Sequence, residues 1–271
     1  MMTMNICGIV TTPGRPSLTV KAKAKRIAEK WNLPFEERQK RSIPLLQEQF
    51  NTTVFVVSSQ RIEAFEKGRD EPFFFHPNGA MFRAKRWHRN GDDPLVHACK
   101  IERGDTVVDA TLGLASDAQL ASMAVGKGGQ VIGLESSPVV AQLVKEGLKT
   151  YESHFSPLDQ AMRRIEVVCT DHLKWLRTQP HDSVDIIYFD PMFQEKVNTS
   201  DGVKSLRYLS NNNSLMEETM EQAKKVARKR IVLKDHFRSH LFQQLGFTVQ
   251  VRPSATYHFG VIELEKSESY D

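Results

Sequence analysis

Cysteine is scarce in this sequence, with three in 271 residues. The three stand far apart, at Cys7, Cys99 and Cys169, and no two of them form a CxxC pair. This spacing argues against a disulfide framework and against a zinc site built on thiolates. We therefore expect no metal site.

Long apolar runs are also missing. No stretch reaches the roughly 18 consecutive apolar residues that a membrane-spanning helix needs. The first residues, MMTMNICGIV, lack the basic region, apolar region and cleavage site of a secretory signal. We therefore expect a protein that does not enter a membrane and that works in the cytoplasm.

Acidic residues are few in the first third of the chain. Residues 1–90 contain 16 Lys and Arg against 8 Asp and Glu, a net charge of +8, whereas the rest contains 21 against 25, a net charge of −4. Because basic residues bind phosphates by releasing counterions, this asymmetry is typical of a nucleic-acid-binding unit. The alternative is a solvated basic surface that binds nothing.

The first third is predicted to form a small α+β unit. Its apolar start favours a strand that ends before Pro13-Gly14, and Ser17 is a suitable N-cap for a helix to about Trp31. We place a domain boundary after residue 90, with an N-terminal substrate-docking domain over 1–90 and a second domain over 91–271. Within the first unit we also expect a short helix over 45–50 and strands over 54–59, 61–66 and 72–77.

The segment 79–90, GAMFRAKRWHRN, interleaves basic and aromatic residues. A surface of this kind can hold phosphates and stack on unpaired bases. The alternative is a helix that lays its Arg and Lys stems over the domain junction and buries Trp87. On the first interpretation, the RNA-binding residues are Arg83, Lys85, Arg86 and Arg89.

Beyond Gly91 the pattern changes to alternating strands and helices. Short apolar runs without polar alternation are typical of parallel strands that are buried on both faces. The sequence therefore predicts an α/β fold with a doubly wound, Rossmann-like sheet. The expected strands are 106–110, 130–135, 164–169, 184–190, 230–234, 247–251 and 257–264, and the expected helices are 93–102, 116–125, 138–152, 171–178, 213–229 and 236–244.

The turn after the first of these strands, DATLGLASD over 109–117, contains a single glycine, Gly113. The dinucleotide motif GxGxxG is therefore absent, which disfavours a nicotinamide dehydrogenase. One glycine permits one tight turn, and the N-terminus of the next helix offers free N–H groups. The combination suits a nucleoside that carries an amino-acid tail.

Four acidic residues close four successive predicted strands. Glu135, at the end of the second strand, is placed to accept the hydroxyls of a ribose, and Asp171, beside His172, is placed to reach an adenine amino group. A single acid at a strand end is commonly a helix cap or a turn former, but four in order indicate a cofactor site. The four are Asp109, Glu135, Asp171 and Asp190.

The fourth acid belongs to the tetrapeptide Asp190-Pro191-Met192-Phe193. Asp190 and a neighbouring carbonyl, turned outward by Pro191, can accept hydrogen bonds from an exocyclic amine. Phe193 can stack on a base that is flipped out or already unpaired. Catalysis would then depend on positioning, with Asp190, Pro191 and Phe193 as the catalytic residues. The alternative is a strand-ending turn with a buried Phe193.

Five stretches together resemble one known family: GAM at 79–81, DATLGLASDA at 109–118, LESSPVVAQLVKEGL at 134–148, DIIYFDPMF at 185–193 and RIVLK at 230–234. In order and spacing they are similar to the bacterial 16S ribosomal RNA (guanine-N2)-methyltransferases of the RsmJ type. The resemblance implies a class I, S-adenosylmethionine-dependent methyltransferase that acts on a guanine of the ribosomal small subunit. It also implies that the cofactor contacts are Ser116, Asp117, Glu135, Ser136, Asp171, His172 and Asp190.

The residues leave other functions open. One alternative is a methyltransferase for DNA adenine or for a small-molecule amine, against which the basic first third argues. Another is a non-catalytic RNA-binding protein that retains the fold. The presence of Asp109, Gly113, Glu135 and Asp190 favours an enzyme, because a chain released from cofactor binding should lose such groups.

Overall fold

The computed structural model describes residues 6–69, 71–77, 79–191 and 216–264. Its first unit is a four-stranded sheet in the order β1-β2-β3-β4, in which β1 runs parallel to β2 and the other pairs are antiparallel. Two helices accompany this sheet. The elements are β1 (Ile9–Thr11), α1 (Leu18–Trp31), α2 (Ile43–Phe50), β2 (Val54–Val57), β3 (Ile62–Phe65) and β4 (Phe73–Phe74).

Helix α1 shows how the sequence specifies this unit. The Ser17 side chain accepts a hydrogen bond from the Val20 amide at the start of the helix, as predicted, and Asn32 ends it in the left-handed conformation. The buried stripe of α1 includes Trp31, whose ring meets Phe55 of β2 edge to face at 5.3 Å. Burying an aromatic or large aliphatic side chain in this way stabilises a fold by about 1.5–3 kcal/mol.

The second unit is a seven-stranded sheet in the order β10-β11-β9-β8-β5-β6-β7. Strands β5 to β9 are all parallel to one another, and β11 is antiparallel to both β9 and β10. The prediction of a doubly wound α/β sheet is therefore confirmed. Its strands are β5 (Thr106–Asp109), β6 (Gln130–Glu135), β7 (Ile165–Cys169), β8 (Val184–Phe189), β9 (Ala227–His236), β10 (Thr248–Gln250) and β11 (Tyr257–Glu263).

Helices cover both faces of this sheet, and each face has its own apolar cluster. Strand β8 is buried along its whole length, as a central parallel strand should be. Val107 and Val108 of β5 point to opposite clusters, which reflects the two-residue period of a strand. The helices are α3 (Ala80–Asn90), α4 (Pro94–Cys99), α5 (Ser116–Val125), α6 (Pro138–Thr150), α7 (Ser156–Arg164), α8 (His172–Leu176), α9 (216–226) and α10 (Leu241–Gln244).

Segment 79–90 is helical as α3, and it packs against α5. Phe75, Ala80 and Ala84 belong to the apolar cluster on the α5 side of the large sheet, and half-buried Trp87 packs against the same cluster. The four-stranded sheet meets α6 through Leu143, which is buried among residues of the first unit. A division of the chain at residue 90 stays a prediction.

Two predicted helices have other bounds in the structure, and one helix was missed. Helix α7 was not predicted, although Leu158, Ala161 and Met162 give it a buried stripe at helical spacing. The helix expected over 213–229 ends at 226, with 213–215 outside the described residues, and the helix expected over 236–244 covers only Leu241–Gln244. Pairing with β8 and β11 extends β9 over 227–236, which ends the first helix early, and a turn at 237–240 separates β9 from α10.

Among the described residues, no helix combines the length and the apolar character that crossing a membrane requires.

Candidate cofactor and acceptor site

Asp109 ends β5 at the centre of the large sheet and is 3% exposed. One of its carboxylate oxygens accepts a hydrogen bond from the Thr111 amide at 3.1 Å. Burial, together with the nearby charge of Asp117, raises the pKa of Asp109 to about 8. A carboxyl group held in this way changes its protonation state near neutral pH, which is typical of functional sites.

The turn between β5 and α5 is shaped by two left-handed residues, Gly113 at φ +47° and Ala115 at φ +62°. The Gly113 amide donates to Glu135 Oε2 at 3.2 Å, and the Ser137 amide donates to Glu135 Oε1 at 2.8 Å. Glu135 therefore ties the end of β6 to the first turn and to the start of α6.

This edge of the sheet fits a nucleoside with an amino-acid tail. Ala115 is the N-cap residue of α5 and provides no side-chain hydrogen bond, so the first turn of the helix offers N–H groups to an anionic ligand. Glu135 is only half-buried and Ser136 is exposed. Each Glu135 oxygen accepts one amide and retains capacity for a second donor, such as a ribose hydroxyl.

Asp171 and His172 open α8 after β7. Asp171 is exposed, and its side chain caps the helix by accepting the Lys174 amide at 2.9 Å. His172 is half-buried, and its ring meets Phe189 edge to face at 5.8 Å. Burial lowers the pKa of His172, which favours the neutral imidazole.

Asp190 follows β8 and is fixed from two directions. Its amide donates to Thr111 Oγ1 at 2.7 Å, and its Oδ2 accepts the Lys234 ammonium at 2.6 Å. Burial raises the pKa of Asp190, and Lys234 opposes that effect. Pro191 is half-buried, whereas Met192 and Phe193 lie outside the described residues.

Asp117, in the first turn of α5, is 9% exposed and accepts hydrogen bonds from three side chains. The Tyr188 hydroxyl donates at 2.8 Å, the Lys234 ammonium donates at 3.2 Å, and the Arg83 guanidinium donates to the other oxygen. Burial alone would raise the pKa of Asp117, but Arg83 and Lys234 outweigh burial and lower it. Asp117 is therefore held as a carboxylate.

These contacts form a continuous chain of alternating charges, Asp93, Arg83, Asp117, Lys234 and Asp190, which we call the ion-pair chain. It starts at Asp93, whose carboxylate caps α4 and binds Arg83 through two hydrogen bonds of 2.9 Å. It ends at the acid that closes β8. The chain joins α3 to the carboxyl edge of the large sheet.

The four predicted RNA-binding residues of α3 have different surroundings. Arg83 is occupied by two carboxylates, whereas phosphate contact was predicted for it. Arg86 donates to the Asp92 carbonyl at 3.0 Å. Lys85 and Arg89 are exposed and have no ion-pair partner among the described residues.

Sequence reasoning did not identify Lys234, Thr111 or Tyr188 as members of the site. Lys234 carried a signal, because it closes the predicted strand RIVLK and so lies at the same edge of the sheet as the four acids. Nothing in the sequence pointed to Thr111 or Tyr188, since a threonine in a turn and a tyrosine in a buried strand are both common.

The strand order, with one antiparallel strand beside a parallel sheet and an acid-lined carboxyl edge, is that of the Rossmann-like class I methyltransferase fold. A family model described as "Putative SAM-dependent methyltransferase" matches residues 26–252. The chain belongs to this family, and its cofactor is S-adenosylmethionine.

Individual proteins are also similar to this chain. The uncharacterized protein YpiP of Bacillus subtilis is 44% identical over 258 residues, which cover 94% of this chain and 99% of that protein. Ribosomal RNA small subunit methyltransferase J of Nitrosococcus oceani is 30% identical over 206 residues, which cover 71% of this chain and 78% of that protein. The crystal structure of a SAM-dependent methyltransferase from Neisseria gonorrhoeae shares the fold, with a TM-score of 0.61 at 16% identity over 96% of this chain and 97% of that one.

Proposed function

We propose that this methyltransferase modifies an exocyclic amine of a base in RNA, and that the target is N2 of a guanine in 16S ribosomal RNA. The relative from Nitrosococcus oceani supports the substrate class by its name. The observation that carries the chemistry is Asp190: Lys234 and Thr111 fix it at the end of β8, and no described residue donates to its Oδ1. That oxygen is available to an amine.

In the proposed reaction, bound S-adenosylmethionine supplies the electrophilic methyl group. Asp190 Oδ1 accepts an N–H of the base and orients the nitrogen lone pair, while Lys234 holds Oδ2 and favours the ionised carboxylate. Pro191 fixes the chain direction after Asp190. Phe193 would stack on the flipped base.

The cofactor would lie along the carboxyl edge of the large sheet. Glu135 would accept the ribose hydroxyls, Asp171 and His172 would adjoin the adenine, and the N-terminus of α5 would receive the amino-acid tail. Asp117 would act through Lys234, because protein donors already engage both of its oxygens. The proposed cofactor residues are Asp109, Gly113, Ser116, Asp117, Glu135, Ser136, Asp171, His172 and Asp190.

RNA would dock on the basic first third of the chain and on α3. Lys85 and Arg89 have no ion-pair partner among the described residues, and Phe82, three and seven residues before them on the same face of α3, is 80% exposed. The partner would be the ribosomal small subunit or its free RNA, met in the cytoplasm. Exposed cations beside an exposed aromatic ring suit an RNA substrate better than a small amine.

The test is methyl transfer from tritiated cofactor to four acceptors: 16S RNA transcribed in vitro, small subunits from cells lacking the protein, duplex DNA and a pool of metabolites. We expect label in the first or second acceptor and N2-methylguanosine in its nuclease digest. Asp190→Ala should abolish transfer, and Asp190→Asn, which keeps one acceptor oxygen, should retain part of it. Label only in DNA or in metabolites would contradict the RNA assignment, and full activity of Asp190→Ala would contradict the role of Asp190.

A further inference from the structure

A second cluster of aromatic and basic side chains lies where β9 and β11 meet. His236 closes β9, and its ring lies 4.5 Å from that of Phe237. The Arg238 guanidinium lies 5.0 Å from the Phe237 ring centroid, and the His258 ring lies 6.2 Å from it. We call these four residues the β9 rim.

The β9 rim is accessible. Phe237 is 43% exposed, and His236 and Arg238 are exposed on either side of it. The exposed part of the Phe237 ring contributes no burial energy to the fold and is available to a ligand. Asp235, the acid next to the rim, is 2% exposed, so the outward-facing groups of the rim are rings and cations.

The β9 rim adjoins the end of the ion-pair chain. Phe237 is three residues beyond Lys234, whose ammonium binds Asp190 and lies 4.9 Å from the Tyr257 ring centroid. Tyr257 pairs with His236 of the rim across the β9–β11 ladder. An RNA strand that presents a base to Asp190 would therefore carry its neighbouring nucleotide past the rim.

We propose that the β9 rim binds an unpaired nucleotide beside the target base, with Phe237 stacking on the neighbouring base and Arg238 contacting its phosphate. The inference rests on the proposed function, since it assigns part of the same RNA substrate. Exposed aromatic rings flanked by cations bind single-stranded nucleic acid through base stacking and phosphate contact. The rim is separate from α3, so it would be a second contact site for the RNA strand.

The experiment compares Phe237→Ala, Phe237→Trp and Arg238→Gln with the wild type, using 16S RNA transcribed in vitro and measuring kcat and KM for RNA together with the Kd for S-adenosylmethionine. Phe237→Ala should raise KM roughly 5- to 150-fold, the range of one lost stacking contact. Phe237→Trp should restore most of the affinity. For Arg238→Gln the Kd for RNA is measured at several salt concentrations. The slope of log Kd for RNA against log salt concentration should fall by about one, which a structural defect alone would not produce.

Val249→Ala is the matched control, because Val249 is an apolar residue that is 37% exposed and lies on β10, outside the first third of the chain, α3 and the rim. This variant should leave kcat, KM for RNA and the Kd for S-adenosylmethionine unchanged. If the wild type methylates RNA and Phe237→Ala has an unchanged KM, the rim proposal is overturned while the proposed function stands. The same holds if Phe237→Ala changes the oligomeric state and leaves KM unchanged. Absence of RNA methylation by the wild type would instead overturn the proposed function. If Phe237→Ala fails to bind S-adenosylmethionine, the test is the salt dependence of RNA binding by Arg238→Gln. A slope equal to that of the wild type would then overturn the rim proposal.

Discussion

Replacing Lys234 with methionine removes the cation that Asp190 shares with Asp117 of α5. The Lys234 ammonium lies 2.6 Å from Asp190 Oδ2 and 3.2 Å from Asp117 Oδ2. Methionine keeps much of the length and apolar volume of the side chain, so the change is mainly one of charge and hydrogen bonding. The variant leaves Asp190 without its ammonium partner.

The magnitude follows from the exposure of the pair. A hydrogen bond to a charged group contributes about 1.5–3 kcal/mol, and the lower end applies because the Asp190 side chain is 34% exposed and partly screened by water. About 1.4 kcal/mol corresponds to one pKa unit. Burial already raises the pKa of Asp190 and Lys234 opposes it, so the pKa should rise further by about one unit in the variant.

The assay is the dependence of kcat/KM on pH. If Asp190 acts as a carboxylate, activity falls as the pH drops through its pKa, and the acidic limb in Lys234→Met should move to higher pH by about one unit. Lys234→Arg keeps the positive charge, so its acidic limb should lie close to that of the wild type. Calorimetric titration with S-adenosylmethionine separates this effect from a loss of cofactor binding.

Lys229→Met is the matched control, since Lys229 starts the same strand and its ammonium binds Asp105 Oδ1 at 2.6 Å at the opposite edge of the sheet. Its acidic limb should coincide with that of the wild type. The reasoning would be refuted by an unshifted limb in folded Lys234→Met, or by an equal shift in Lys229→Met.

Three further predictions concern stability. In the protein without cofactor, the raised pKa of Asp109 means that stability is lost as pH rises from about 4 towards 8, by at most about 1.4 kcal/mol per pH unit, and thermal melts of Asp109→Asn should show a flatter profile. Arg83→Ala leaves the fully buried side chain of Asp93 only Arg86, 3.9 Å away, as a cation, and should lower the unfolding free energy in urea by about 3 kcal/mol, a prediction that a loss below about 1 kcal/mol would contradict. Gly147→Ala places a methyl group against the Phe75 ring and should lower the unfolding free energy by about 1–3 kcal/mol, despite the better helix propensity of alanine.

The large sheet was predictable because its signals are local. Each central strand is a short apolar run followed by an acid or a turn, and such runs reveal both the buried strand and its exit. The exits of β5, β6 and β8 therefore lie within one residue of the positions expected from the sequence. Helix α7 had a local signal as well, the helical spacing of Leu158, Ala161 and Met162, which was overlooked.

The partners within the site were not predictable, because they depend on how helices cross. Arg83 and Asp117 are 34 residues apart, and only the packing of α3 on α5 brings them together. Lys234 of β9 lies at the expected edge of the sheet, but its contact with Asp117, 117 residues away, depends on where the first turn of α5 crosses that edge. Periodicity places each side chain on its own element, but it carries no information about the crossing of two elements.

The ion-pair chain links α3, on which RNA is proposed to dock, to the edge of the large sheet that carries Asp190. Each cation in it is shared by two carboxylates: Arg83 by Asp93 and Asp117, and Lys234 by Asp117 and Asp190. Movement of α3 must therefore either stretch the Arg83 pairs or carry Asp117 along, and Asp117 holds the lysine that holds Asp190. Residues in one such network couple energetically, so substitutions at Arg83 and Lys234 should be non-additive in kcat even though their α-carbons belong to different elements. RNA bound along α3 would thus act on the same network that orients the amine acceptor.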